Sequence, residues 1–129
     1  MNEESTLIVT NLAKEFIEYV SLISNDWSQA FFRFHCSGEE NFGSSGSFVD
    51  SSGRVKLFNP FEQESFFDVM NTKGSELREL VKKDGRSFCV MLLIIDSEFN
   101  FDIKFEYNDF KKWKISKTDG LTGVPDIGN

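Results

Sequence analysis

His35 is the single histidine of this sequence, and Cys36 and Cys89 are its two cysteines. These are the side chains best suited to nucleophilic or metal-assisted chemistry. His35 and Cys36 are neighbours in a segment that reads as a strand. Successive strand side chains leave on opposite faces, so the two form no local nucleophile–base pair. A pairing of His35 with Cys89 across a sheet stays open, beside the ordinary role of a structural histidine. One histidine excludes a metal site built on several. The chain lacks CxxC, HExxH and GxSxG, and Gly43-Ser44-Ser45-Gly46-Ser47 lacks the lysine and spacing of a phosphate-binding loop. Asp102 and Glu106, four residues apart on a strand, stand roughly 13 Å apart, too far to share a proton or a metal. No calcium-loop spacing occurs. The residues therefore predict no enzyme, no cofactor and no metal.

What remains is binding, and the carboxylates point to it. In DSEFNFDIKFEYNDFKKW, residues 96–113, Phe101, Ile103, Phe105 and Tyr107 alternate with Asp102, Lys104 and Glu106. Period-2 alternation marks a strand with one buried and one wet face, and predicts burial of Phe101, Ile103 and Phe105. The wet face and its flanks carry Asp96, Glu98, Asp102, Glu106 and Asp109 against Lys104. Such a row is either a solvated face that keeps a sheet soluble or a docking surface for a basic partner. Glu39 and Glu40 form a second acidic candidate, and Glu62, Glu64 and Asp68 a third. Phe99, Phe110 and Trp113 fall off the buried phase; they are either exposed anchors or the packing of a C-terminal segment onto the sheet.

The totals agree with a binding protein. The net charge is −7 over 129 residues, which disfavours direct contact with nucleic acid or anionic membranes. Residues 1–68 hold 11 Asp/Glu and 4 Lys/Arg, whereas residues 69–129 hold 10 of each. The first residues are acidic, unlike a secretory signal, and the longest uncharged apolar run, 88–95, is far short of the roughly 20 residues that span a bilayer. With two cysteines in apolar segments, the expectation is a cytoplasmic protein with reduced thiols.

The elements that must position these residues follow from periodicity. Ile8, Leu12, Phe16 and Val20 predict a helix over 5–23, with Ser5 at its cap. Residues 27–36 read as a strand, with Ala30, Phe32, Phe34 and Cys36 on one face and Phe31, Arg33 and His35 on the other. A Gly/Ser-rich loop leads to strands at 45–50 and 54–58, joined by Asp50-Ser51-Ser52-Gly53. Asn59-Pro60-Phe61-Glu62 predicts the capped start of a helix over 60–84, ending at Gly85 and possible to break at 71–74. Residues 87–95 are apolar on both faces, as in a central strand covered twice, or as in a dimer interface. The strand 100–107 follows a tight turn at 96–99. The prediction is one α+β domain over 1–117, an antiparallel sheet of about five strands with two main helices in the order α-β-β-β-α-β-β. Residues 118–129 are predicted to be an irregular tail.

The order of these landmarks resembles the YezG-like immunity proteins of bacterial polymorphic and contact-dependent toxin systems. The likeness spans roughly residues 5–115. It rests on an N-terminal amphipathic helix before Trp27, a Gly/Ser-rich hairpin region, and a capped helix ending near Gly85. An apolar strand follows, and then Phe105, Tyr107, Asp109 and Trp113. The resemblance implies a cytoplasmic antitoxin that binds the cognate toxin's C-terminal domain, often a nuclease. Nucleases carry basic surfaces to hold phosphates, and an acidic inhibitor suits such a target. The alternative expectation is a non-enzymatic secretion chaperone or adaptor, possibly dimeric.

Overall fold

The apolar stripe of the first segment folds as the helix α1 (Glu3–Ile23), with Val9, Leu12, Ala13, Phe16 and Val20 buried along one side. The computed structural model describes residues 2–37 and 41–127. Asn2 caps α1: its side-chain oxygen accepts the Ser5 N–H at 2.8 Å. Ser5 is thus not the cap but the buried donor one turn in, its hydroxyl also turned back onto Asn2.

Five strands form one antiparallel sheet: β1 (Trp27–Cys36), β2 (Phe42–Asp50), β3 (Val55–Leu57), β6 (Val90–Asp96) and β7 (Phe101–Glu106), in the order β3-β2-β1-β6-β7. The predicted α+β class and element order are what the chain adopts. β2 begins three residues earlier than its composition indicated, because glycine and serine in a paired strand leave no alternation to read. Ala30, Phe32, Phe34 and Cys36 of β1 share the helix-side core with Met91, Leu93 and Ile95 of β6. Phe31, Val90 and Leu92 look the other way, into a second apolar cluster. The doubly apolar strand is therefore central and covered twice within one chain, not held open for a second subunit.

The second helix, α2 (Glu64–Leu80), differs from its prediction at both ends. Asn59-Pro60 makes a turn rather than the first helical residues. The Asn59 side chain accepts the Phe61 N–H, and Gln63, not Glu62, reaches back to the Asn59 N–H. At the far end Asp84 and Gly85 both have positive φ, 55° and 77°. They turn a small hairpin between β4 (Lys82–Lys83) and β5 (Arg86–Ser87), the geometry for which Asp-Gly is favoured. Gly85 is a hairpin residue, not a helix cap. α2 is unbroken through residues 71–74. Gly74 lies over Phe34 so closely that a Cβ there would stand 2.9 Å from its ring. Glycine serves helix-to-sheet approach at this point, not a kink.

Rings fill the space between helices and sheet. Phe16 meets Phe32 edge-on at 6.0 Å and Phe58 at 5.9 Å, and Tyr19 stacks on Phe66 at 3.9 Å. Each fully buried Phe contributes about 1.5–3 kcal/mol by removal from water. β7 lies at the sheet edge, so its rings face the core without being enclosed by it. Ile103 and Phe105 are half-buried, and Phe101 is 45% exposed. The predicted face is right, but the predicted burial of Phe101 is not.

The opposite face is covered by chain without helix or strand. Trp113 and Ile115 are buried in the second cluster with Val124 against it. Residues 118–127 are irregular, yet they dock on the sheet: Ser47 donates to the Gly123 carbonyl at 2.6 Å, and the Lys117 ammonium donates to the Val55 carbonyl.

Candidate functional site

The two cysteines lie on opposite faces of the sheet: Cys36 belongs to the helix-side core, whereas Cys89 lies against the second cluster. No disulfide joins them. Burial raises the Cys89 thiol pKa, and the nearby Glu106 carboxylate raises it further, the reverse of what an activated thiolate requires. His35 stands edge-on to Phe110 at 5.2 Å, and its Nδ1 is buried without a hydrogen-bond partner. Burial, then the charge of Arg33, lowers its pKa below the ordinary histidine value. Among the described residues no group of three or more His, Cys, Asp or Glu is placed to hold a metal ion.

The row of carboxylates on and around β7 divides into structural and unengaged members. Asp96 accepts the N–H groups of Glu98 and Asn100 at 2.9 and 3.0 Å, which holds its carboxyl pKa below the usual value and shapes the turn. Glu106 accepts from the N–H groups of Asp109 and Asn108 and pairs with Lys112 at 3.1 Å. Those bonds lower its pKa, and its side chain is only 16% exposed. Asp109 holds the Lys111 N–H at 3.0 Å. Asp102 faces Lys104 at 3.6 Å, and Glu98 is exposed. The segment lying over this side of the sheet adds Lys111, Lys112, Lys114 and Lys117. The face that is acidic along the sequence is mixed in space. Glu39 and Glu40 lie outside the described residues.

Negative charge gathers on the helices, although Glu79 is met by Arg78 at 3.9 Å and Lys82 at 3.6 Å. Exposed Glu3, Glu4, Glu15 and Glu18 on α1, Glu62 just before α2, and Glu64, Asp68, Glu76 and Glu79 on α2 face water with few cations among them. Arg78 is turned inward, donating to the Phe88 carbonyl at 3.1 Å. Grooves with apolar floors run between these charges. One of about 490 Å³ separates α1 from α2, with Leu7, Ile8 and Leu80 between Glu4, Glu76 and Glu79. A second, of about 450 Å³, lies between α2 and the start of β2 and is lined by Phe42, Asp68, Asn71 and Glu76. A third, of about 370 Å³, continues it past Glu64 and Asp68 to Phe61. Phe61 is 94% exposed, and Phe42 nearly half. Carboxylates bordering apolar depressions with accessible rings are the parts of a protein-binding surface: rings anchor and charges orient.

Sequence reasoning named Glu62, Glu64 and Asp68 but missed Glu4, Glu76, Glu79, Phe42 and Phe61. The period-3.6 pattern of α1 and α2 assigns the glutamates to outer faces, which is the signal that locates them. A helix begun at Asn59-Pro60 would place Phe61 in its first turn; the turn that forms instead leaves it open to water. Of the presumed anchors, Phe99 and Phe110 are exposed, whereas Trp113 is buried against the sheet. No helix of the described residues is long and apolar enough to cross a membrane. In comparisons with known proteins, the chain matches no family model and no curated protein.

Proposed function

We propose that this protein is a cytoplasmic immunity protein, which binds the cognate toxin's basic C-terminal domain, a nuclease, and neutralises it without catalysis. The observation carrying this reading is the helical face, where Glu4, Glu64, Asp68, Glu76 and Glu79 border apolar grooves and further exposed carboxylates flank them. A domain built to hold phosphates presents cations that such a face attracts from a distance and then desolvates against its rings. The order of landmarks shared with YezG-like immunity proteins supports the same partner. Nucleic acid and anionic membrane are disfavoured as direct partners by the charge of −7. The chaperone alternative rests on an acidic α+β domain of this length and on a dimer interface at residues 88–95; the second support is weakened, since β6 lies inside the sheet.

The test is association with the product of the adjacent toxin gene at low and high salt. Glu64→Lys with Asp68→Lys should slow association about 10-fold or more at low salt, the difference fading as salt screens it. Asp102→Lys with Glu106→Lys should have the smaller effect on the on-rate. Wild-type rates for the α2 pair, or failure of the toxin domain to bind, would overturn the reading.

A further inference from the structure

The two edges of the sheet are finished differently. β3 contributes only three residues, and Lys117 occupies the Val55 carbonyl. β7 contributes six and pairs with β6 alone. The Asp96 N–H donates to the Asn100 carbonyl at 3.1 Å, and the register pairs Ile94 with Asp102, Leu92 with Lys104 and Val90 with Glu106. Hydrogen-bonding direction alternates along an antiparallel strand. The backbone of Asn100, Asp102, Lys104 and Glu106 therefore points to β6. That of Phe101, Ile103 and Phe105 points to the open edge, where no strand of the described residues meets it.

We infer that this edge pairs antiparallel with β7 of a second copy, about a two-fold axis at Ile103, joining two five-stranded sheets into one. In that register Ile103 opposes Ile103, Phe101 opposes Phe105, and Asp102 opposes Lys104 twice over. The apolar pairs fall on the helix side and the ion pairs on the other, as period-2 geometry requires. Neighbouring registers are closed. A shift toward Tyr107 meets the β4–β5 hairpin, whose Lys83 lies over the Tyr107 ring and whose Arg86 bonds Asn108. A shift toward Phe99 meets a turn, with Phe99 at a φ of 68°.

The helix side of the seam has room to be filled. Phe99 is 65% exposed and Phe101 45%. They border a groove of about 470 Å³ whose other wall is Ala13 and Ile17 of α1. The partner's Phe105 covers Phe101, and each copy's groove is closed by the other. The self-complementary order of charges on β7 selects a second copy over an unrelated strand. This pairing leaves the acidic grooves on α2 open and does not depend on what they bind.

The test is a charge exchange in the full chain, read by sedimentation over a range of concentrations at about 0.15 M salt, where the repulsion of two acidic copies is screened beyond roughly 8 Å. The wild type should pass from monomer to dimer as concentration rises. Asp102→Lys sets lysines opposite lysines, and Lys104→Asp sets aspartates opposite aspartates. Each should raise the dimer dissociation constant about 10-fold or more, corresponding to about 1.4 kcal/mol. Mixing the two variants should restore dimers, because each then supplies the charges the other lacks. Amide exchange offers a second readout: Phe101, Ile103 and Phe105 should slow on dimerisation. A wild type that stays monomeric overturns the inference, as do dimers indifferent to both single changes or variants that do not rescue each other.

Discussion

The two covers of this sheet are made by different physics. On one side α1 and α2 lay amphipathic stripes over β1 and β6, and interlocked rings hold the layers together. On the other, irregular chain lies across the strands, tied down by side chains that reach its backbone. Arg33 donates to the carbonyls of Phe110 and Lys112 at 2.6 and 2.8 Å, and Ser47 donates to Gly123. Irregular chain cannot satisfy its own peptide groups, so a strand that buries it must supply the partners. The charge divides along the same line. The helical cover is acidic and grooved, and the irregular cover is mixed and lysine-bearing. A self-sufficient element leaves its outer face free for function, whereas a dependent one spends its polar contacts on being held.

That contrast can be broken from the helical side first. Phe16→Ala, which removes a ring touching Phe32, Phe58 and Phe66, should cost about 3–5 kcal/mol of global stability. A denaturant midpoint close to wild type would show that the ring cluster is not what joins the layers. Phe105→Ala should cost less, about half as much, since that ring stacks on Phe88 at 5.0 Å but is half open to water. On the other side, Arg33→Met leaves two carbonyls without their donor and should cost about 2–4 kcal/mol. Its signature is local: proteolysis within residues 108–127 should accelerate while α1 and α2 keep their amide protection. Uniform loss of protection would place Arg33 in the common core instead. Ser47→Ala should act on the same segment by about 1 kcal/mol, detectable as faster exchange around Gly123.

The smallest expected effect is a pH dependence. His35 has a folded pKa below its ordinary 6.5, by burial and by Arg33. The unfolded chain therefore binds the proton first, and stability should be level above about pH 6.5 and decline as pH falls from there toward the folded value. Replacing His35 with Gln should flatten that interval while leaving the decline below about pH 4, where Asp96 and Glu106 gain protons that their hydrogen bonds oppose. An unchanged slope between pH 6.5 and 5 would assign it to another group. The same variant should also retain toxin neutralisation, since catalysis plays no part in the proposed function.

What the sequence revealed follows the same division. α1, β1 and β7 are legible because burial against a layer imposes a period, and Ile8, Leu12, Phe16 and Val20 or Phe101, Ile103 and Phe105 display it. Period identifies a face but not the strand's place in the sheet, so Phe101 read as buried although β7 is an edge. Asp84-Gly85 carried the hairpin signal in two residues, but Gly85 equally fits the end of a helix, and that reading prevailed. The irregular cover has no period at all. Trp113, the second apolar face of residues 87–95 and the second face of β1, with Phe31 and Arg33, are the signs that something lies over that side of the sheet. The charge around the candidate site looks different in space for a related reason. Charges counted along residues 96–109 look acidic because the lysines that offset them arrive later in the chain, whereas Glu4, Glu76 and Glu79 meet only when the helices pack.

β1 carries a consequence for how the molecule is made. It is the middle strand, and one of its two neighbours, β6, begins only at Val90. The chain that buries Phe31 and Arg33 comes later still, at Trp113 and beyond. A ribosome adding about 5–20 residues per second leaves the longest apolar strand with an open flank and a bare face for several seconds. During that interval β2 and the helices α1 and α2 are its available partners within the chain. None of them covers the face on which Arg33 waits for the carbonyls of Phe110 and Lys112. The growing chain is thus exposed to strand-to-strand association until residues 108–127 emerge and dock. Any change that delays the docking of residues 108–127 should therefore lower soluble yield before it alters binding.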